Sequence, residues 1–260
     1  MAGARRLILC ALEESELEAT QTAILYIRKD IEIFCRAIDV RESSAVRQFL
    51  HDAAEWTGGK IDILCCNAGV SPPIVPIAEG DPDRWWTGFE VNVRGAYLFS
   101  RYVLPIMQQQ QGGHIIITAS RAATVAHEKQ SSYQISKLAV TRLADHIHAE
   151  NYKLGIRSFA IHPGGIVTQM ITDMKTKEKE PWGKEAAEMI LPMLKDDISL
   201  PGNACVFLAS GKADFMSGRY VDTTINFKHL LEEQGRVIRH NLFKVGISGQ
   251  WRPSGGYSFL

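Results

Sequence analysis

Tyr133 and Lys137 stand four residues apart in Tyr133-Gln134-Ile135-Ser136-Lys137. That separation puts two side chains on one face of a helix. A free phenol titrates near ~10 and is a poor acid or base at neutral pH. An ammonium one turn away favours the phenolate and lowers that value, which would let Tyr133 trade a proton with a carbonyl or alcohol oxygen. Ser120 closes the apolar run HIIITAS (114–120) shortly upstream, and a strand end can present a hydroxyl to the same oxygen. A tyrosine and a lysine at this spacing also occur by chance on exposed helices, so the surrounding chain decides what the pair means.

Six short apolar runs rich in Ile, Leu and Val read as strands: 6–12, 31–40, 61–69, 114–120, 156–165 and 219–224. Helix-spaced apolar residues fill 13–29, 43–57, 82–110, 133–153 and 184–209. This alternation predicts a mainly parallel sheet with crossover helices on both of its faces, the strands being buried on both sides. Lys plus Arg and Asp plus Glu are both 29, so the formal net charge is zero, which argues against a strongly basic nucleic-acid binder. With 45% hydrophobic and 22% charged residues, the chain reads as an ordinary folded protein and not as a disordered one. No apolar run reaches the ~18 residues of a bilayer span. The first residues, MAGARRLILCALEESE, carry acids too early for a signal peptide. Five cysteines in no framework pattern suit a reducing compartment; Cys65 and Cys66, adjacent in an apolar run, are expected to be buried thiols, and no metal site is expected. These features place the chain in the cytoplasm, with no membrane or nucleic-acid partner.

Asp39-Val40, Asn67-Ala68-Gly69, Glu90-Val91-Asn92-Val93 and Pro163-Gly164-Gly165-Ile166-Val167-Thr168 accompany Ser120, Tyr133 and Lys137 along the chain. In this order and approximate spacing the set resembles the short-chain dehydrogenase/reductase family, from about residue 4 to residue 245. The resemblance implies a doubly wound, Rossmann-like α/β fold in a single domain (1–245), with 246–260 as a C-terminal tail. It implies hydride transfer between a nicotinamide and a carbonyl or secondary alcohol. It makes Tyr133 the acid/base and Ser120 the group that orients the substrate oxygen. Lys137 would tune the tyrosine and hold the nicotinamide ribose, and Asn92 would hold a water in a proton relay. Asp39 and Val40 would flank the adenine, Asn67, Ala68 and Gly69 would line the adenosine side, and Pro163, Ile166 and Thr168 would contact the nicotinamide. The implied cofactor is NADP(H) or NAD(H), with NADP(H) placed ahead. The implied partners are a small-molecule substrate and further copies of the chain, as a homodimer or homotetramer through 84–110 and 133–153.

The chain departs from this family at the front. Members open with a strand and a TGxxxGxG loop whose backbone N–H groups meet the cofactor pyrophosphate. Here the sequence starts at what looks like the turn into the family's second strand, so the first βα unit is expected to be missing. The position that selects the cofactor falls near Ala11 and Leu12 and carries neither acid nor base. Two alternatives therefore stand beside the oxidoreductase: a cofactor-independent isomerase or cyclase using the same pocket, and a non-catalytic relative. The pocket would be lined by 70–77, 121–130 and 165–184, with Arg121, His127 and Gln130 as polar candidates and Met170, Met174 and Trp182 as an apolar cover. A medium-sized, mostly apolar ketone or alcohol, such as a secondary metabolite, would fit. Trp85 and Trp86 are expected to pack their helix against the core.

Overall fold

The structure, a computed structural model, describes residues 3–176 and 182–246, with the side chains of 174–176 outside it. Strands and helices alternate as the hydrophobic pattern predicts. The first half runs β1 (Arg6–Ala11), α1 (Glu14–Ile27), β2 (Glu32–Ala37), α2 (Ser43–Thr57) and β3 (Ile63–Cys66), then α3 (Pro82–Gly88), a π-helical turn (Phe89–Gly95) and α4 (Ala96–Gln110). The second half runs β4 (Gly113–Thr118), a 3-10 turn (Arg121–Thr124), α5 (Ser131–Asn151), β5 (Ile156–His162), α6 (Gln169–Thr176), α7 (Gly183–Ile190), α8 (Ser199–Ala209), β6 (Arg219–Asp222), α9 (Phe227–Glu232) and α10 (Gln234–Arg239). The fold is Rossmann-like α/β. All the strand pairings are parallel. No helix among the described residues is long and apolar enough to cross a membrane.

Side chains on β4 and β5 alternate between two cores, as the two-residue period of a strand requires. Ile115, Ile117, Ile156 and Ala160 pack with Val46 and Phe49 of α2, Val103 and Met107 of α4, and Val140 and Ala144 of α5. Ile116, Phe159 and Ile161 point the other way, against Leu208 of α8, Met216, Val221, Leu230 and Val237. Covering both faces of these strands makes the sheet doubly wound, and the parallel order carries the strands' C-terminal ends to one rim.

The strand ladder falls into two parts, β2–β1 and β3–β4–β5–β6. Ile8 and Cys10 of β1 and Cys66 of β3 pack on the same core, and Cys10 lies near enough to help raise the Cys66 thiol, whose burial raises it most. Among the described residues β1 pairs only with β2, and β3 only with β4. This part of the sheet corrects the expectation of strands buried on both sides: β1 and β2 are mostly half-exposed, with α1 burying only Leu17 over them, and β3 buries Leu64 while Ile63 and Cys65 are exposed. Cys65 is correspondingly exposed, not buried as expected.

Two element boundaries also differ from the sequence reading. The helical stretch 184–209 is broken after Ile190, where Pro192 sits in a 3-10 turn and 194–198 are non-helical before α8; proline lacks the N–H that would continue the ladder. The helices α9 and α10 lie in a stretch with no strong apolar period; they are held by burying Leu230 and Val237, one residue each, against the second core. Residues 177–181 of the expected cover and 247–260 of the expected tail lie outside the described residues.

Candidate active site

Tyr133 enters in the first turn of α5 and Lys137 one turn later, on the face turned to the end of β4. The Lys137 Nζ donates to the Thr118 carbonyl at 2.8 Å and stands 5.8 Å from the Tyr133 ring centroid. Ser120 is the extended residue that leads into the 3-10 turn; its Oγ accepts from the Ala122 amide at 3.1 Å. The same hydroxyl lies close enough to the Tyr133 phenol to favour its ionised form. Ser120, Tyr133 and Lys137 thus meet at the C-terminal rim of the sheet, where open α/β folds bind ligands.

Asn92 lies in the π-helical turn between α3 and α4, where the widened ladder places it under the β3 loop. Such turns often mark functional sites. Its Oδ1 accepts from the Val70 amide at 2.8 Å, and its Nδ2 donates to the Val70 carbonyl at 3.1 Å and to Ser136 Oγ at 2.9 Å. The buried side chain therefore clamps the loop after β3 to α5, between Tyr133 and Lys137. Asn67 Oδ1 accepts from Thr118 Oγ1 at 3.0 Å, joining that loop to β4. Gly69 sits where these parts converge: a Cβ there would stand 3.2 Å from Asn92 Oδ1 and 3.3 Å from Lys137 Nζ. Only a residue without a side chain leaves both groups undisturbed.

The remaining expected residues occupy the same rim without joining this network. Ala68 is exposed beside Gly69, Pro163 and Ile166 are half-buried after β5, and Thr168 is exposed, its carbonyl accepting the Ile171 and Thr172 amides at the start of α6. Gly164 takes a φ of +98°, a left-handed conformation that favours glycine, as this loop turns away from β5. Val40 packs against Gly95, where a Cβ would approach its Cγ2 to 2.9 Å. Asp39 is engaged by Arg41, whose Nη2 lies 2.6 Å from Asp39 Oδ2, and this hydrogen bonding holds the carboxyl below its ordinary range. Among the polar candidates of the second loop, His127 is exposed and Gln130 half-buried, whereas Arg121 turns to Asp222 at 3.1 Å. Met170 and Trp182 are half-buried, and Trp182 receives the Lys129 ammonium 3.6 Å above its ring; the Met174 side chain lies outside the described residues. Trp85 donates to Ser131 Oγ at 2.9 Å and stacks on Phe89, while Trp86 is exposed on its other side.

The electrostatics differ from the sequence expectation. Packing around the Tyr133 ring raises its titration above the ordinary value, and only the Ser120 hydrogen bond pulls the other way. Lys137, 3% exposed, is brought down from 10.5 to about 8 by the same desolvation. Burial acts on both groups and disfavours each one's charged form. Thr118 and Ser136 complete the network and were not singled out from sequence. Ser136 lies inside the Tyr-to-Lys interval, and a small hydroxyl residue there was the available signal.

The short chain dehydrogenase family matches residues 1–179, and the chain belongs to that family. A short chain dehydrogenase of Monascus purpureus, mpl6, is 31% identical over 254 residues, covering 95% of this chain and 81% of the relative. A short chain aldehyde dehydrogenase of Euphorbia lathyris is 33% identical over 189 residues, 69% of this chain and 65% of its own. Among solved structures, levodione reductase superposes with a TM-score of 0.75 at 27% identity, over 84% of this chain and 85% of that one. Fold, family and relatives together make the chain an oxidoreductase of this class.

Proposed function

We propose that this chain interconverts a carbonyl and a secondary alcohol with NADP(H) or NAD(H), NADP(H) being the preferred cofactor, through Ser120, Tyr133, Lys137 and Asn92. The observation that carries the reading is the meeting of Ser120 and Tyr133 with a buried lysine held on the Thr118 carbonyl and a clamped asparagine at the strand rim. The residues fit the ribose side of a nicotinamide cofactor. Lys137 spends one donor on Thr118 and has others free for hydroxyls, and Gly69 keeps the approach open where any Cβ would crowd it. A solved xylitol dehydrogenase with NAD+ bound shares the fold, with a TM-score of 0.74. When bound, the nicotinamide supplies or accepts the hydride.

In the reducing direction, the Ser120 hydroxyl donates to the substrate oxygen and holds it against Tyr133. Tyr133 gives its phenolic proton to that oxygen as negative charge builds there. The phenolate left behind is stabilised by the Lys137 ammonium and takes a proton back from it, and the lysine is reprotonated from solvent through a water that Asn92 would hold. Oxidation reverses these transfers. Asp39, Val40, Asn67 and Ala68 would line the adenosine side and Pro163, Ile166 and Thr168 the nicotinamide side. A mostly apolar substrate suits the loops around the site, where Pro72 and Ile74 are buried and Ile77, Val125 and Val167 are exposed. Exposed Tyr97 on α4 and exposed Ile135 and Leu138 on α5 favour self-association through that face, as a homodimer or homotetramer. Five unpaired cysteines suit the cytoplasm.

The pyrophosphate end is different. Among the described residues β1 and β3 each leave one parallel edge unpaired on one core. A strand laid between them would join the two parts of the sheet, and a loop at its end would meet the cofactor phosphates. The second reading is proton-transfer chemistry in the same pocket, by Ser120, Tyr133 and Lys137, without nicotinamide. The test is NADPH and NADH binding by nicotinamide fluorescence, with Lys137→Ala as control, together with ketone turnover by Tyr133→Phe. Binding lost in Lys137→Ala and turnover reduced ~100-fold or more in Tyr133→Phe support the oxidoreductase. Product formed from a ketone or enol without nicotinamide, and abolished by Tyr133→Phe, would support the second reading.

A further inference from the structure

We propose that His162 is a positioning residue for Ser120, its ring Nδ1 accepting the Arg121 amide at 3.2 Å and so fixing the peptide that carries the serine. The inference deepens the oxidoreductase reading and rests on it for its kinetic part. Ser120 begins the 3-10 turn, and that turn leaves the Arg121 N–H unused. The Ala122 amide goes to Ser120 Oγ at 3.1 Å and the Ala123 amide to the Ser120 carbonyl at 3.0 Å. The first amides of any helical turn need a partner outside it, and here the partner is the imidazole at the end of β5. His162 is 8% exposed, and its carbonyl accepts the Thr223 amide at 3.1 Å. The Arg121 side chain reaches Asp222 Oδ2 at 3.1 Å on β6. The ends of β4, β5 and β6 are thereby tied together directly beneath the serine hydroxyl.

An Nδ1 that accepts must be unprotonated, so the neutral ring carries its proton on Nε2. Three charged groups face the imidazole: Asp222 from β6, Arg121 from the 3-10 turn, and Asp196 from the segment before α8. The two carboxylates favour protonation and the guanidinium opposes it, but desolvation is the largest influence and holds the ring below its ordinary 6.5. Acidification through that lowered range would turn Nδ1 into a donor facing the Arg121 N–H. The contact would then break, the Ser120–Arg121 peptide would shift, and the hydroxyl would leave its place beside Tyr133. Lys137, at about 8, and Tyr133, raised from 10, titrate on the other side of neutrality. An acid limb below 6.5 therefore belongs to neither of them, and its loss in a non-titrating variant assigns it to His162.

The test combines two substitutions with a readout that does not need turnover. His162→Asn offers an amide oxygen near the Nδ1 position and cannot titrate; His162→Leu removes the acceptor. With NADPH and a cyclohexanedione as probe, His162→Asn should keep kcat within ~3-fold and lose the acid limb. His162→Leu should lower kcat ~10- to 100-fold at every pH, with KM for NADPH changed less than ~2-fold. In a Ser120→Ala background the same leucine substitution should cost little more, because the group it positions is already gone. An acid limb that persists in His162→Asn, or an undiminished leucine effect without Ser120, overturns the proposal. Nitrogen NMR of the ligand-free protein, with the His162 signal assigned by its loss in His162→Asn, should show an unprotonated Nδ1 and an Arg121 amide shift that follows the ring's titration. An Nδ1–H ring overturns the proposal even where His162→Leu fails to fold. If no nicotinamide binds or turns over, the oxidoreductase reading falls, while the NMR result still decides the His162 contact.

Discussion

Replacing Lys137 by Met should stabilise the folded chain at pH 7 while abolishing its proposed chemistry. The Lys137 ammonium is 3% exposed and titrates at about 8 in place of 10.5. At about 1.4 kcal/mol per tenfold change, that fall corresponds to about 3 kcal/mol of penalty for carrying the charge inside the fold. Methionine removes the charge and keeps the volume of the stem. It forfeits the hydrogen bond to the Thr118 carbonyl, which is worth about 1–1.5 kcal/mol. The net gain is about 1–2 kcal/mol, or a rise of about 2–8 °C in Tm for a domain of this size. The sign with pH follows from the lowered value. Between 8 and 10.5 the unfolded chain holds a proton that the folded chain has released, so wild-type stability rises with pH across this window relative to the variant. Urea denaturation of both proteins at pH 7, 8, 9 and 10 measures the difference directly, and other titrating groups cancel in it. A gap that does not change over that range, or a Lys137→Met protein clearly less stable than wild type at pH 7, would refute the claim that the lysine is held desolvated.

Three further outcomes follow from the same geometry. Gly69→Ala should cut kcat/KM at least ~10-fold while lowering Tm by only a few degrees, since its Cβ comes nearest to two site groups, at 3.2 and 3.3 Å, with the Asn67 carbonyl next at 3.8 Å; steady-state kinetics beside a thermal melt separates the two effects. Asn92→Leu should cost about 2–4 kcal/mol by denaturant unfolding, because it strands the Val70 peptide and Ser136 that Asn92 now satisfies. Extending the chain upstream with a βα unit carrying a Gly-rich loop should strengthen NADPH binding at least ~10-fold by fluorescence titration, by pairing the free edges of β1 and β3 and supplying backbone donors for the phosphates; equal affinity of the two chains would contradict it.

Much of this molecule can be read from its residues alone. Each of the six apolar runs holds all or most of a strand, because short runs rich in Ile, Leu and Val suit the extended backbone. The four-residue step from Tyr133 to Lys137 fixed their common helix face, and the run 114–120 placed Ser120 at a strand end. Tertiary structure decided what spacing does not encode. Asn92 reaches Val70 and Ser136 only once α4, α5 and the β3 loop have packed together. The titration of Tyr133 and Lys137 depends on how much water the packed rim excludes, and that reversed the direction expected for the tyrosine. The exposure of Cys65 and the split of the ladder between β1 and β3 likewise belong to the assembled sheet, since hydrophobic pattern records that a strand wants partners and not which edges find them.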